Sequence, residues 1–562
     1  MGSQLMEKRK IYHLLVSIFL TLFIIFGDFS KLFAQDVFSD TGMVASAQPL
    51  ASQAGVEILK KGGNAVDAAV ATAFALGVVE PNASGLGGGG FMVIKLTTQP
   101  EAVNIDFREM APGKADSAYY YSATGSFNSL TGRGANSAGV PGIVAGLALA
   151  LEKYGTLTLG EVMDPAIRYA REGFAVSENF SGIIFQNYDL IMQYPATAAV
   201  YLKDDLPVSQ GSIIRNPMLA FTMETLAAKG YQEFYRGEMA IAMQESIKKY
   251  GGILNAEDLQ GYRTVIRQPV KGTYRGYEII SAAPPTGGGI ALIELLNILE
   301  NFPIHELSPD SVSYYHLLAE AMKIVFADKA GNIADPDFYR VPVEKLTSKQ
   351  YAASRLRFLD TKKVSIDYKA PAMIEKESGS TTHISVVDRN RNIVALTQSI
   401  NNWFGSGITV EGTGILLNNH LKDFENKAGH PNSIEPYKRP VSSIAPTIIL
   451  KDDQPFISFG TPGGTRIISA LAQILINVID FEMTMDEAIE APRIHASGST
   501  LHLEGRISEK VRHELESRGH RLKVHDDFDN YFGGAQGIFI DNKKGNLTGG
   551  ADSRRDGVVA GY

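Results

Sequence analysis

The side chains that could do chemistry in this sequence are hydroxyls, backed by glycine-rich turns rather than thiols. Cysteine is absent from all 562 residues, which excludes thiol nucleophiles, disulfides, iron–sulfur clusters and thiolate metal sites together. The 11 histidines are scattered, and neither H-E-x-x-H nor G-x-S-x-G occurs, which argues against a zinc protease and an α/β-hydrolase serine enzyme. The hydroxyls gather around one stretch, Glu377-Ser-Gly-Ser-Thr-Thr-His-Ile-Ser-Val-Val-Asp388. A charged segment there runs into a strand that begins with threonine. The strand turns at Arg389-Asn390-Arg391-Asn392 and returns over residues 393–399. A turn centred near Asn390 places residue 381 opposite residue 399, so Thr381 and Ser399 become neighbours. Spacing alone allows two readings. One is a nucleophile with a second hydroxyl beside it. The other, favoured on spacing, is a cross-strand Thr–Ser pair of modest stabilising value.

Three glycine-rich segments accompany these hydroxyls. Pro462-Gly463-Gly464-Thr465-Arg466 lies between a strand at 456–459 and a helix at 466–478. Its backbone N–H groups point as an oxyanion hole requires. Pro284-Pro285-Thr286-Gly287-Gly288-Gly289 also joins strand to helix, and reads either as a structural turn or as an active-site wall. Gly85-Leu86-Gly87-Gly88-Gly89-Gly90 satisfies G-x-G-x-x-G in form only. A helix precedes it and a strand follows, the reverse of a dinucleotide site, so a tight turn is the better account. Ser442-Ser443, after Lys438-Arg439-Pro440, adds one more hydroxyl pair ahead of a strand at 447–450.

The elements that must position these groups alternate in period. Helical patterns cover 51–61, 65–79, 142–154, 161–173, 218–229, 238–249, 290–300 and 311–327. Strand patterns cover 91–96, 102–107 and 277–282, and dominate from 381 onward. Residues 341–377 are crowded with charge and read as a solvated surface connection. No internal repeat is present. The fold class is therefore mixed α/β. A net charge of −8 and a hydrophobic fraction of 44% describe an ordinary globular chain with no basic surplus for a nucleic-acid partner.

The first residues have another character. Glu7-Lys8-Arg9-Lys10 precedes a largely apolar run over 11–26, then Gly27, Asp28, Ser30 and Lys31. That order describes a secretory signal. The run is short for a spanning helix, which needs about 20 apolar residues. Cleavage after Ala34 is expected, although Leu32 spoils the small-x-small pattern, and an uncleaved anchor is the alternative. The membrane would then be a partner only through this segment, and the remaining body is expected to be soluble.

Taken in order, the motifs resemble the gamma-glutamyltransferase (gamma-glutamyltranspeptidase, glutathione hydrolase) family of N-terminal-nucleophile enzymes. The stretches that carry the likeness are Asn64-Ala-Val-Asp-Ala-Ala69, Leu86-Gly-Gly-Gly-Gly-Phe91, Asp106-Phe-Arg-Glu-Met-Ala-Pro112 and Ser137-Ala-Gly-Val-Pro-Gly142. They continue with Thr381-Thr-His-Ile-Ser-Val386, Gly414-Ile-Leu-Leu-Asn-Asn419, Lys438-Arg-Pro-Val-Ser-Ser443, Pro462-Gly-Gly464 and the terminal residues 556–562. The resemblance implies a four-layer αββα sandwich built jointly by two fragments of one self-cutting precursor. Residues 1–34 are the signal, 35–380 the large subunit and 381–562 the small catalytic subunit, with the cut between Ser380 and Thr381. It implies Thr381 as nucleophile, Ser399 as the second hydroxyl (threonine is usual there), and Gly463 and Gly464 as the oxyanion hole. Arg108 matches the arginine for the substrate α-carboxylate, and Asp423 the carboxylate for its α-ammonium. Asn401, Ser442 and Ser443 match further contacts to the same amino-acid head. His420 stands where the family usually has Gln or Glu, and mild acid is expected to place an imidazolium beside the substrate ammonium. The short spacing from Asp423 to Ser442 is similar to members without a lid loop. No metal or cofactor is implied. The expected activity is an exported, periplasmic or extracellular, gamma-glutamyl hydrolase/transferase acting on a glutathione-like donor with water, an amino acid or a peptide as acceptor. Alternatives are an acylase for glutaryl-type amides and a catalytically dead binding protein on the same scaffold.

Overall fold

The strands Thr382–Val387 and Ile393–Ser399 are buried at every position, so neither of their faces meets water. A computed structural model, describing residues 37–128, 130, 132–365 and 380–562, explains why. One seven-stranded sheet runs in the order Val558–Gly561, Met43–Ser46, Thr382–Val387, Ile393–Ser399, Gly89–Lys95, Val103–Asp106 and Val265–Arg267. A second runs Val37–Ser39, Asn546–Ala551, Gln536–Asp541, Gln454–Gly460, Thr447–Lys451, Tyr277–Ser281 and Val270–Tyr274. The central strands of the two sheets pack on each other. Helices Pro49–Lys60 and Ala65–Val79 cover the outside of the first sheet, and Gly288–Leu299, Arg466–Ile479 and Met485–Glu490 the outside of the second. This is the expected αββα sandwich. A strand with a helix on one side and a sheet on the other has no use for polar alternation.

Helix Ala65–Val79 is buried along all fifteen residues, as expected of a helix that is apolar all round. Its small side chains let it lie between the sheet and the helices Pro49–Lys60, Ile143–Tyr154 and Leu159–Glu172. A capping box of Asn64 and Asp67 starts it, satisfying N–H groups that the first turn cannot.

The hairpin register follows the expectation: Thr382 pairs with Gln398 and His383 with Thr397. The Asp388 carboxylate closes the turn by accepting from the N–H groups of Asn390 and Asn392, at 2.8 and 3.0 Å. Two expectations need correction. The helix read as 311–327 runs Val312–Asn332, because Asp328 pairs with Arg355 through two contacts, at 2.8 and 2.9 Å. The charged connection at 341–377 is not all solvated surface. Helices Val343–Leu346 and Lys349–Arg355 form within it and pack on Gly288–Leu299. Its stretch 366–379 and the signal expected at 1–34 lie outside the described residues.

Candidate active site

Thr381 sits at the mouth of the central hairpin. Its Oγ1 donates to Ser399 Oγ at 3.0 Å and lies against the carbonyl oxygen of Ser380. Ser399 Oγ also accepts from the N–H of Asn401, at 2.8 Å. The two hydroxyls expected to be neighbours are therefore hydrogen-bonded, and the alternative of a merely decorative pair must account for the cleft they face.

That cleft is lined by Arg108, Ser380, Thr381, Ser399, Asn401, His420, Asp423, Ser442, Ser443 and Gly464, with Ile444 and Ile467 completing it. Nearly every candidate from the sequence converges there. Gly463 is the exception: it stands one residue behind, where a Cβ would lie 3.4 Å from Gly533 Cα. Gly463 and Gly464 have φ of 134° and 59°, a conformation that favours glycine. The carbonyls of both accept from the first turn of helix Arg466–Ile479, while their own N–H groups bond no protein acceptor among the described residues. A helix start with open N–H groups is suited to a developing oxyanion.

Charge is arranged as a compact clamp. Arg108, almost wholly buried, donates through Nη2 to Asp423 Oδ2 at 2.6 Å, and through Nε and Nη2 to the carbonyls of Pro440 and Val441 at 3.2 and 3.0 Å. Asp423 Oδ1 accepts from Asn401 Nδ2 at 2.7 Å. Asn401 itself has φ of 78°, which a non-glycine residue adopts only where its surroundings hold it. A fixed cation beside a fixed carboxylate is complementary to a zwitterionic amino-acid head. Ser443 Oγ accepts from Lys329 Nζ at 2.9 Å. The segment Pro284–Gly289, left open between turn and wall, proves to be backing. Gly287 N–H donates to the Ser442 carbonyl and Ser442 N–H to that of Pro285, yet none of its residues lines the cleft.

His420 departs from expectation. Its Nδ1 lies 2.7 Å from Glu109 Oε1, and both side chains are buried. Burial pushes the imidazole well below its ordinary value, and the charges of Arg108 and Lys422 push it the same way. Burial raises the Glu109 carboxyl to about 8, against the pull of Arg108. Both shifts favour the neutral forms, opposite to the imidazolium expected in mild acid. Sequence reasoning missed Glu109, although it adjoins Arg108. It also missed Lys329 and Arg555, which donates to the Thr381 carbonyl at 2.8 Å; neither carries a motif. Among the described residues no cluster of three or more His, Asp or Glu could hold a metal ion, and no helix is long and apolar enough to cross a membrane.

Comparison with known proteins agrees with this geometry. The family model described as gamma-glutamyltranspeptidase matches residues 51–562. A glutathione hydrolase proenzyme of Escherichia coli is 39% identical over 552 residues, covering 94% of each chain. An acylase ACY 1 proenzyme of Pseudomonas sp. is 39% identical over 524 residues, covering 92% of this chain and 93% of its own. The crystal structure of a cephalosporin acylase from Bacillus halodurans superposes with a TM-score of 0.85 at 32% identity, over 94% of this chain and 97% of that one. With a family model spanning nearly the whole sequence and relatives alike from end to end, this chain belongs to the gamma-glutamyltranspeptidase family of enzymes.

Proposed function

We propose that the chain is an exported precursor that cuts itself between Ser380 and Thr381, and then transfers gamma-glutamyl groups through an ester on Thr381. The observation that carries the reading is the Thr381 hydroxyl, bonded to Ser399 and lying against the Ser380 carbonyl within one cleft. In the first step Oγ1 bonds to the Ser380 carbonyl carbon, the peptide C–N bond breaks, and the nitrogen takes the hydroxyl proton. Water hydrolyses the ester and leaves Thr381 with a free α-amine. An α-amine titrates near ~8, so it can take the proton of its own hydroxyl as that oxygen attacks a substrate amide. Arg108 and Asp423 hold the carboxylate and ammonium of the gamma-glutamyl head, with Asn401, Ser442 and Ser443 around it. The N–H groups of Gly463 and Gly464 receive the oxyanion. Water then releases glutamate, or an amino acid or peptide accepts the group. A glutathione-like donor and a periplasmic or extracellular site fit this chemistry and the N-terminal signal.

One observation keeps a second reading. His420 turns its Nδ1 to Glu109, so it offers the substrate ammonium less than Gln or Glu would, which favours an acylase for glutaryl-type amides. Mass spectrometry and paired substrates decide between them. At 60.9 kDa for 562 residues, the fragments 35–380 and 381–562 should weigh about 37 and 20 kDa. Thr381→Ala should leave the chain intact and inactive, and Ser399→Ala should slow both steps. A gamma-glutamyl anilide should be cleaved faster than the glutaryl anilide; the reverse preference means the acylase. A parent chain that never cuts supports a dead binding scaffold.

A further inference from the structure

Cleavage would turn Thr381 into a chain terminus, and a terminus tied down by nothing frays. Its side chain is held at Ser399. The other hold is on its main chain, and it comes from a residue outside the cleft. Arg555 Nη1 donates to the Thr381 carbonyl oxygen at 2.8 Å. The same Nη1 lies 3.7 Å from Glu80 Oε1, and the guanidinium carbon sits 4.9 Å from the ring centre of Trp403. Arg555 is buried, and Gly534 leaves room for it: a Cβ there would come within 2.6 Å of the Arg555 side chain. Glu80 caps the C-terminus of helix Ala65–Val79 and lines a separate cavity with Asn82, Ser177 and Asp556.

We infer that Arg555, braced by Glu80 and Trp403, is a positioning residue that clamps the Thr381 carbonyl and so fixes where the Thr381 amine stands relative to its hydroxyl. The geometry is that of one tetrahedral carbon. Thr381 Cα carries the amine, the carbonyl and the hydroxyl-bearing Cβ. With the carbonyl held at Arg555 and Oγ1 at Ser399, chirality leaves the amine one direction. A general base that must reach a hydroxyl on its own residue depends on that direction. The charge on Arg555 makes its bond to the carbonyl a strong one. Glu80 supplies the countercharge: burial and the neighbouring Asp556 raise its carboxyl to about 7, while Arg555 draws it down. The other charged groups acting on Arg555 are Asp552, Asp556 and Arg466.

This inference rests on Thr381 being the nucleophile, and the test separates the two. Full-length Thr381→Ala, Arg555→Met, Arg555→Lys and Glu80→Gln proteins are compared with the parent. Self-cutting is followed on denaturing gels, and kcat and KM are measured per titrated active site. Arg555→Met should slow cutting and lower kcat by about tenfold or more, with KM within twofold, because the lost contact is to the nucleophile and not to the substrate. Arg555→Lys should recover part of the loss. Glu80→Gln should match the parent at pH 6, where Glu80 is protonated, and lag behind it at pH 8.5; the ratio cancels the titration of the Thr381 amine. Should Arg555→Met not fold, the lysine and Glu80 variants carry the same test. Parent-like kcat in Arg555→Met overturns the inference, as does a loss confined to KM. Parent-like kcat in Arg555→Lys joined to a pH-independent Glu80→Gln ratio overturns it too. An active Thr381→Ala protein overturns the nucleophile reading instead.

Discussion

At the scale of single residues, the proposed function has Arg108 and Asp423 divide the recognition of a substrate head between two charges. A glutaryl group keeps the carboxylate and lacks the ammonium. Arg108→Ala should therefore raise KM for gamma-glutamyl and glutaryl anilides alike, by about 1.5–3 kcal/mol if one charge-assisted bond is lost. Asp423→Asn should weaken the gamma-glutamyl anilide selectively. Equal losses for both anilides in Asp423→Asn would show that the ammonium binds elsewhere. His420 belongs to the same argument with a changed sign. An exposed histidine would charge below about 6.5 and repel the ammonium. Here burial and two neighbouring cations favour its neutral form, beside a Glu109 carboxyl raised to about 8. The ratio of kcat/KM for the two anilides should stay flat from pH 5 to 7 in the parent and in His420→Gln. A fall in the parent that the substitution removes would mean that His420 does ionise. The sequence made His420 legible as a departure, because its position in Asn418-Asn419-His420 is fixed by a motif. It could not make Glu109 legible as its partner, since that contact joins residues 311 positions apart and depends on burial alone.

At the scale of elements, the site is a hairpin pressed against glycines. Residue 381 could be placed opposite 399 from sequence because a turn rich in Asp and Asn sets the register before any tertiary contact does. The same was true of helix Ala65–Val79, whose capping residues are local. Helix Val312–Asn332 was underestimated because its last turn is held by Arg355, which no local pattern reveals. From sequence the glycines of 85–90 read as a turn; Gly89 and Gly90 already belong to the strand Gly89–Lys95, and close packing against backbone explains the glycines before them. A Cβ on Gly88 would lie 2.2 Å from the Ser399 carbonyl, and one on Gly87 2.1 Å from that of Leu416. Both obstacles are backbone, so no side chain can move aside. Gly88→Ala should therefore destabilise the protein by about 2–4 kcal/mol and, by displacing Ser399, slow self-cutting. Thermal melts and a gel time course measure the two effects. Parent-like cutting in a destabilised Gly88→Ala protein would show that Ser399 does not need this close packing.

At the scale of the whole molecule, both sheets draw strands from before and after Thr381. In the first, Met43–Ser46 pairs with Thr382–Val387 and with Val558–Gly561; in the second, Tyr277–Ser281 pairs with Thr447–Lys451. A cut at Ser380 would leave these ladders intact, so the fragments share one stability. That stability should depend on pH through groups the shared core forces to be neutral. Burial lowers His383 and His520 to about 3 and holds His420 and His495 well below their ordinary value. Below 6.5 the unfolded chain binds protons that the folded one refuses, so each such histidine costs up to about 1.4 kcal/mol per pH unit as the pH falls toward 3. Glu80 and Glu109, raised to about 7 and 8, act oppositely: the folded state holds their protons where the unfolded chain has released them. Acidification toward 4.5 therefore gains stability from these two carboxyls, and below that they add no further slope. His316 is lowered as well and Glu294 raised, so above 4.5 the histidines are partly opposed by buried carboxyls, and Tm should fall less per pH unit from 6.5 to 4.5 than beneath. His383 isolates the effect. It is wholly enclosed, bonded to Thr397 and Ser385 at 2.7 and 3.0 Å, and opposed by Gly460, where a Cβ would meet its ring at 2.2 Å. His383→Asn should lower Tm at pH 7 and lose less of it on descending to pH 4 than the parent does. Parallel declines in the two proteins would mean that His383 takes up its proton in the folded state.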